Sequence, residues 1–303
     1  MSVLSVQELS KNYGSVQALK SVSFEVPKGS VFGILGPNGS GKTTLLGIIM
    51  DVLKASSGRY SWQGQPGSSA QRKTIGTLLE TPNFYSYLSG TDNLAIAAAI
   101  KGRGEDQIDK VLETVNLLQR KNSKFSTYSL GMKQRLAIAS TLLGDPEILV
   151  FDEPTNGLDP AGIAEIRNLI RALSQQGKTI IMASHILDEV EKVCSHVAII
   201  QFGELKAVGT VNEILAGGSK TEQIVHLSAD DLAALESCLH NLPGVLRIVR
   251  KGNDLEIETE ESISSSSINK FCFDNGIVLN SLLLKKKTLE ASFLEITGKK
   301  SDR

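Results

Sequence analysis

The sequence of 303 residues predicts an α/β fold with a parallel sheet, followed by a small α+β unit. Short apolar segments, among them residues 148–151 and 179–183, alternate with helical segments, which is typical of a sheet covered by helices on both faces. Beyond residue 218 the pattern changes to the order β-α-β-β-α-β of a ferredoxin-like unit. We therefore expect two domains, residues 1–217 and residues 219–303.

The elements of the first domain follow from the spacing of apolar side chains. Residues 1–30 read as strands and turns, and residues 30–35 form an apolar strand that ends in a glycine-rich loop. Residues 197–200 form another short strand. Helical spacing predicts helices over residues 42–53, 92–101, 107–118, 130–143, 161–176 and 187–194. Those between about residues 84 and 143 are expected to form a helical subdomain.

The second domain begins after Gly217-Gly218-Ser219, the best linker candidate because glycine interrupts regular elements. Its pattern predicts strands at 223–227, 245–250, 254–259 and 277–284, and helices at 229–242, 264–275 and 289–297. Gly252-Asn253 is the expected turn of a hairpin. This part carries no catalytic constellation, so a regulatory role and a role in dimer formation both remain open for it.

Net charge, the length of apolar stretches and the spacing of cysteines limit the classes of protein to which this chain can belong. A formal net charge of -1 gives no overall attraction to nucleic acid or anionic lipid. The longest apolar stretches, such as residues 94–100, are much shorter than the roughly 20 residues of a spanning helix. Cys194, Cys238 and Cys272 have no metal-binding spacing, and we expect reduced, partly buried thiols. If the protein acts at a membrane, another polypeptide is expected to anchor it.

A phosphate-binding loop is the strongest single motif. Residues 36–44 match G-x-x-x-x-G-K-[ST] at every position and join a predicted strand to a predicted helix. Glycines let the backbone wrap closely around phosphates, and the helix N-terminus adds partial positive charge. Lys42 offers an ammonium to the β- and γ-phosphates, and the Thr43 hydroxyl can bind Mg²⁺. The predicted nucleotide-binding residues here are Gly36, Pro37, Asn38, Gly39, Ser40, Gly41, Lys42, Thr43 and Thr44.

Two adjacent carboxylates, Asp152 and Glu153, follow the apolar strand at residues 148–151. Such a pair is common at the end of a strand, but beside a phosphate loop it predicts the second half of a hydrolytic site. We expect Asp152 to face Mg²⁺, directly or through water, and Glu153 to polarise the attacking water as a general base.

The chain resembles the ABC ATPase family, because six segments stand in that family's order within residues 1–215. Tyr13 resembles the aromatic residue that stacks on adenine, and Ser184-His185 resembles the switch histidine. The remaining four are the phosphate loop, the Asp152-Glu153 pair, residues 129–135 (SLGMKQR), which resemble the family signature, and residues 156–159 (NGLD), which resemble the loop that touches the opposite subunit.

The resemblance implies a mechanism with ATP and Mg²⁺ as cofactors. Two such domains would face head to tail with two ATP molecules between them. Ser129 and the backbone N–H of Gly131 would hold the γ-phosphate of the ATP bound to the other subunit, and Asp159 lies in the loop that meets that subunit. His185 would contact the γ-phosphate and orient the water. ATP would close the dimer, and hydrolysis would reopen it.

Two features depart from the common family pattern. Glu80 stands where most relatives have a glutamine that touches Mg²⁺ and water, so Glu80 is a candidate metal ligand and catalytic residue. The signature has Leu130 and Met132 where Gly and Gln are usual. Together with residues 80–85 (ETPNFY) and the tail at residues 289–298 (LEASFLEITG), these changes resemble bacterial exporters of peptide antibiotics, including bacitracin-type and lantibiotic-immunity pumps.

This subgroup implies an ATP-hydrolysing subunit that drives a separate transmembrane permease at the cytoplasmic face of the cell membrane. Its other partner would be a second copy of itself or a paralogous ATPase, and its substrate a peptide antibiotic or a drug-like molecule. Phe84 and Tyr85 lie where relatives receive the permease's coupling helix, although ordinary core packing is an equal alternative for both.

The alternative function is that of a soluble ABC ATPase acting on nucleic acid or ribosomes. The sequence contains one ATPase cassette, no long coiled-coil segment and almost no net charge, and these features disfavour nucleic acid as a partner. A P-loop GTPase or a small-molecule kinase is disfavoured because no Asn-Lys-x-Asp segment occurs. Either would also leave the signature and the switch histidine unexplained.

Overall fold

The structure is a computed structural model that describes residues 1–79, 83–216, 222–260, 262–285 and 288–298. Two compact units can be distinguished and are described separately. The first contains Met1–Val211 and Ile296–Gly298, and the second contains Asn212–Glu295. The expected linker Gly217-Gly218-Ser219 and the predicted site residue Glu80 lie outside the described residues.

The described part of the first unit contains two sheets. Their strands, in chain order, are β1 (Ser2–Tyr13), β2 (Val16–Pro27), β3 (Val31–Leu35), β4 (Ser57–Trp62), β5 (Gln65–Pro66), β6 (Ile75–Leu78), β7 (Ile148–Asp152), β8 (Thr179–Ser184), β9 (His196–Gln201) and β10 (Glu204–Thr210).

Helices follow these strands along the chain. Those that lie between β6 and β7 form the predicted helical subdomain. The helices are α1 (Lys42–Ile49), α2 (Ser69–Arg72), α3 (Gly90–Lys101), α4 (Ile108–Thr114), α5 (Leu130–Leu142), α6 (Pro160–Gln175), α7 (Leu187–Val193) and α8 (Val211–Ala216). Of these, α8 follows β10 and lies almost wholly in the second unit. No helix in the described ranges is both long and apolar enough to cross a membrane.

The larger sheet has the strand order β10-β9-β3-β8-β7-β6. Its neighbours pair in parallel, except that β10 runs antiparallel to β9. β3, β7 and β8 are buried at every position, as expected for strands covered on both faces. Because parallel strands end at the same edge, the residues that follow β3, β7 and β8 come together there.

The smaller sheet has the order β2-β1-β4-β5, and it packs against the larger one through a shared apolar core. The core includes Phe24 of β2, Phe32 of β3, Trp62 of β4 and Val150 of β7. The rings of Phe24 and Phe32 stack with their centroids 5.4 Å apart. Packing across the two sheets therefore fixes β2 close to the strand that carries the phosphate loop.

The second unit has an apolar core of its own, which includes Val225, Leu235, Leu255 and Ile268. All neighbouring strands of its sheet are antiparallel, in the order β12-β13-β11-β14. This is the arrangement of a ferredoxin-like unit, so the predicted fold class is confirmed. The elements are β11 (Glu222–Ala229), α9 (Leu232–Leu239), β12 (Val245–Lys251), β13 (Asp254–Glu260), α10 (Ser265–Asp274) and β14 (Leu279–Lys285), and α11 (Leu289–Thr297) follows them.

Several helices are shorter than their apolar spacing predicts, because local hydrogen bonds fix where they begin or end. α1 stops at Ile49, since Asp51 adopts a left-handed backbone (φ 56°) and the N–H groups of Val52 and Leu53 both donate to the Gly47 carbonyl. α9 begins only at Leu232, where the Asp231 carboxylate accepts from the N–H groups of Ala233 and Ala234.

Candidate functional site

The phosphate loop lies between β3 and α1 and leaves no room for side chains at two of its glycines. Gly41 has φ 109°, and a Cβ there would lie 2.6 Å from the Ala18 carbonyl oxygen of β2. A Cβ on Gly36 would lie 2.2 Å from the Ile200 carbonyl oxygen of β9. The backbone of the loop is therefore in direct contact with both neighbouring strands, and only glycine fits at these two positions.

The start of α1 presents backbone donors. The N-cap residue is Gly41, and no side chain caps the helix. The first N–H groups of a helix have no partner within the helix, so those of α1 are available to an anion. The Ser40 hydroxyl beside them is buried, with no hydrogen-bond partner found in the described part of the chain. Asn38, Gly39 and Thr43 are exposed along the same loop.

The Lys42 side chain is almost fully buried and is held by three oxygen atoms. Its Nζ donates to the carbonyl oxygens of Gly36 (2.8 Å) and Pro37 (3.2 Å). It also lies 3.6 Å from Oε1 of Glu153, whose side chain is 20% exposed. The ammonium thus lies inside the loop, facing the carboxylate at the end of β7.

Glu153 connects the ammonium to the histidine. Its other oxygen, Oε2, lies 2.8 Å from Nδ1 of His185, a side chain that is 37% exposed. The Glu153 backbone is left-handed (φ 47°), which costs on the order of 1–3 kcal/mol for a residue with a Cβ. Its N–H donates to the Ala183 carbonyl oxygen at 3.0 Å, so the neighbouring strand β8 holds it in that conformation.

The register of β7 and β8 brings these groups together. Asp152 pairs with Ala183, so the two strands end side by side and Glu153 and His185 leave the sheet from neighbouring points. Ser184 is fully buried, and its hydroxyl accepts from the N–H of Ile186 at 3.0 Å. This bond fixes the chain directly after His185.

Tyr13 lies at the end of β1 and is 47% exposed. The ammonium of Lys11 lies 4.9 Å from the centroid of its ring. Tyr13 pairs with Val16 in the β1–β2 hairpin, and Ala18 of the same hairpin touches Gly41 of the phosphate loop. The exposed Tyr13 ring and the phosphate loop are therefore both in contact with the β1–β2 hairpin.

Ser129, Gly131 and Asp159 lie at the starts of two helices. The Ser129 side chain caps α5 by accepting from the N–H of Met132 (3.3 Å), and a Cβ on Gly131 would meet nothing within 4 Å. Asp159 caps α6 by accepting from the N–H of Gly162 at 2.8 Å. In the described part of the chain, no hydrogen bond or ion pair joins these three residues to Lys42, Glu153 or His185.

Oxygen donors suited to Mg²⁺ are present at the same edge of the sheet. The Thr43 hydroxyl is exposed in the first turn of α1, and Asp152, 8% exposed, ends β7. Hydroxyl and carboxylate oxygens fit this ion, which is usually bound through one or two carboxylates together with substrate phosphates. No cluster of three or more His, Cys, Asp or Glu side chains suited to a metal occurs in the described ranges.

Sequence reasoning missed the support from Gly203, which lies in the turn between β9 and β10. Its N–H donates to the Ser40 carbonyl oxygen (3.0 Å), and its own carbonyl accepts from the N–H of Lys20 (2.8 Å). The Phe202-Gly203 pair predicts a tight turn. Nothing local in the sequence, however, shows that the turn touches a loop so distant along the chain.

Comparisons with known proteins identify the family to which this chain is similar. The profile of a family described as ABC transporter matches residues 19–156. The bacitracin transport ATP-binding protein BcrA of Enterococcus faecalis is 33% identical over 308 residues, which cover 98% of this chain and 96% of the relative. The lantibiotic transport ATP-binding protein SrtF of Streptococcus pyogenes is 38% identical over 203 residues, which cover 67% of this chain and 89% of the relative.

A solved structure shows the same fold. MJ1267, an ATP-binding cassette of an ABC transporter in its ADP conformation, matches with a TM-score of 0.65 and 28% identity. The match covers 70% of this chain and 92% of that one. Together with the relatives, it shows that the chain belongs to the ABC transporter ATP-binding proteins.

The chain is accordingly a nucleotide-binding subunit of the ABC transporter class, with ATP hydrolysis as its activity. The predicted family, its similarity to bacitracin and lantibiotic transport proteins and its ATPase activity are confirmed. The alternative of a soluble ATPase acting on nucleic acid or ribosomes is not favoured.

Proposed function

We propose that Lys42, Glu153 and His185 form the hydrolytic half of an ATP site. The observation that carries the proposal is the continuous contact from Lys42 through Glu153 to His185. Lys42 would exchange its carbonyl partners for the β- and γ-phosphates, whereas the N–H groups at the start of α1 would bind phosphate oxygens. Once Lys42 has turned to the phosphates, the Glu153 carboxylate would accept a proton from the attacking water. His185 would orient the carboxylate and the water.

Thr43 and Asp152 are the residues that we propose for Mg²⁺, directly or through water. The bound ion would neutralise charge on the phosphate oxygens during hydrolysis. Glu80 remains a third candidate ligand from the sequence. We expect Thr43→Ala to raise the Mg²⁺ concentration needed for turnover, because it removes one oxygen donor without adding charge.

The second half of the site would come from another subunit. Ser129 and Gly131 lie at the open start of α5 and have no bond to the Lys42 cluster, which supports a role toward ATP on a facing subunit. Asp159, at the start of α6, would meet that subunit. Tyr13 would stack on the adenine, since it is exposed beside β2 and the phosphate loop. The facing subunit would be a second copy or a paralogous ATPase.

We propose a transmembrane permease as the other partner, which would hold the chain at the cytoplasmic face of the membrane. Tyr85 and Tyr87 are exposed, with ring centroids 5.9 Å apart, and Phe84 packs on Phe125 at 5.3 Å. This anchored aromatic surface suits a docking helix. Because BcrA and SrtF are bacitracin and lantibiotic transport proteins, a peptide antibiotic is the proposed substrate, exported by the permease.

The decisive experiment measures ATP turnover and the oligomeric state of the purified chain beside Glu153→Gln. We expect Glu153→Gln to lose turnover by about a hundredfold or more and to form a dimer that persists in ATP and Mg²⁺, because binding is kept and the base is lost. Glu147→Gln is the matched control, since Glu147 lies before β7 and pairs with Lys28 at the surface. A Glu153→Gln variant with near wild-type turnover would overturn the assignment.

The transport proposal needs cells that carry the chain with its permease. If the wild type confers resistance to bacitracin or a lantibiotic, Glu153→Gln should abolish it, measured as the minimal inhibitory concentration. Resistance that survives in the Glu153→Gln variant would contradict the proposed coupling of hydrolysis to export.

A further inference from the structure

A largely buried ion pair joins α6 and α7, the helices that follow β7 and β8. Nη1 of Arg167 in α6 lies 3.2 Å from Oε1 of Glu189 in α7, with side chains 21% and 8% exposed. The second oxygen of Glu189, Oε2, is buried and has no hydrogen-bond partner in the described part of the chain. Removing two charges from water is costly. Apolar side chains of similar size would join the two helices without this loss of hydration free energy. We therefore look for a role of the pair beyond packing.

Both helices continue directly from the candidate site. α6 begins at Pro160, at the end of the loop that starts from Glu153 and leads to Asp159. α7 begins at Leu187, two positions after His185, and Glu189 lies in its first turn. The pair thus links the helix that follows the Glu153 loop to the helix that follows His185.

α7 depends on such contacts for its position. It has seven residues, and no side chain caps its N-terminus. Val190 and Cys194 press against β3: a Cβ on Gly33 would lie 2.8 Å from Val190 Cγ1 and 3.0 Å from Cys194 Sγ. This packing limits movement of α7 toward the sheet, but apolar contacts do not prevent rotation or sliding along it. The Arg167–Glu189 pair, in addition to the Ser184–Ile186 hydrogen bond, supplies a directional contact at the His185 end of the helix.

We propose that Arg167 and Glu189 are positioning residues for hydrolysis, which hold His185 and the loop at residues 154–159 in register with each other. The inference rests on the proposed role of His185. Lys42 and the phosphate loop lie on β3 and α1, so ATP binding does not require the pair. Loss of the pair therefore lowers kcat and leaves KM for ATP nearly unchanged.

The test compares ATP turnover of the full chain for Arg167→Met, Glu189→Gln and the double variant, which carries no buried charge at this position. We expect kcat to fall roughly ten- to a hundredfold in each, as for displacement of a catalytic group by about 1 Å. Arg167→Lys should restore part of the loss. Arg171→Met is the matched control, because Arg171 joins the same helices by donating to the Lys192 carbonyl oxygen at 2.6 Å.

The His185→Ala variant distinguishes failure of the proposed role of His185 from failure of the positioning role of the Arg167–Glu189 pair. If the pair acts through His185, Arg167→Met adds no further loss of kcat in a His185→Ala background, a strong departure from additivity. If His185→Ala itself keeps turnover, the proposed function fails. If His185→Ala loses turnover but the pair variants keep kcat, the positioning role is overturned. Equal losses in kcat and ATP affinity, with a matching fall in Tm, would also overturn it, because they indicate a purely structural contact.

Discussion

Gly41 shows how a single residue of the phosphate loop is constrained by space as well as by backbone conformation. Its φ of 109° strains any residue with a Cβ, and that Cβ would also collide with the Ala18 carbonyl oxygen at 2.6 Å. We expect Gly41→Ala to destabilise the protein by roughly 2–4 kcal/mol and to abolish ATP binding, because either the loop or β2 must move. Thermal unfolding and ATP titration measure both effects.

Gly39→Ala is the control for this prediction. Gly39 is also left-handed (φ 78°), but a Cβ there meets nothing within 4 Å. Only the conformational strain applies, so a loss of about 1 kcal/mol is expected. Equal destabilisation by the two substitutions would show that the close approach of β2 has no importance.

The sequence identified the residues of the site more readily than their contacts. Lys42 and Glu153 are predicted because a phosphate loop and a carboxylate pair each require fixed residue types at fixed spacing. Their 3.6 Å contact and the left-handed backbone of Glu153 depend on β3, β7 and β8 ending side by side. That arrangement is set by packing of the whole sheet, and no local pattern contains it.

At the scale of the element, the ends of helices were harder to predict than their existence. The apolar spacing of α4 continues to Leu118, but the helix ends at Thr114. Asn116 turns left-handed (φ 56°) there, and the N–H of Leu117 closes the end on the Leu112 carbonyl oxygen at 2.7 Å. A single asparagine can end a helix in this way, but asparagine also occurs within helices, so spacing alone does not locate the end.

Lys101 joins the end of α3 to the end of α5 and gives this contact a pH dependence. Its Nζ donates to the carbonyl oxygens of Ser140 (2.5 Å) and Thr141 (3.3 Å). Burial, and secondarily the charge of Arg103, lowers the pKa of Lys101 from 10.5 to about 8. Between these two values the unfolded chain binds more protons than the folded one, so stability rises with pH across this interval.

We expect the free energy of unfolding of the wild type to rise relative to that of Lys101→Met between pH 8 and pH 10.5. The relative gain is at most about 3 kcal/mol, and it is smaller to the extent that water reaches the side chain. Urea unfolding of both proteins at several pH values measures the difference, since titration of all other groups is common to both. Parallel curves would show that Lys101 keeps an ordinary pKa.

At the scale of the whole molecule, the described part of each unit contains an apolar core of its own. The order of elements in the second unit was predictable because its short alternating strands and its turn at Gly252-Asn253 leave local signals. The proximity of two thiols was not predictable: burial, and secondarily the neighbouring Cys238 thiol of α9, raises the pKa of Cys272 in α10 to about 11. Their distance along the sequence gave no indication that packing of the two helices brings them together.

Separate cores lead us to propose that the two units unfold independently and that only the first responds to ATP. Leu255 is fully buried in the core of the second unit, and Leu149 is equally buried in β7 of the first. Replacing either with alanine should cost about 2–5 kcal/mol in its own unit. Leu255→Ala should therefore lower one thermal transition and leave the Kd for ATP unchanged, whereas Leu149→Ala should lower the other transition and weaken ATP binding.

ATP with Mg²⁺ should raise only the transition that Leu149→Ala lowers, because a ligand stabilises the unit that binds it. Calorimetry of the intact chain with and without nucleotide measures all of these effects. A single transition that moves with ATP and with both substitutions would show that the chain unfolds as one cooperative body.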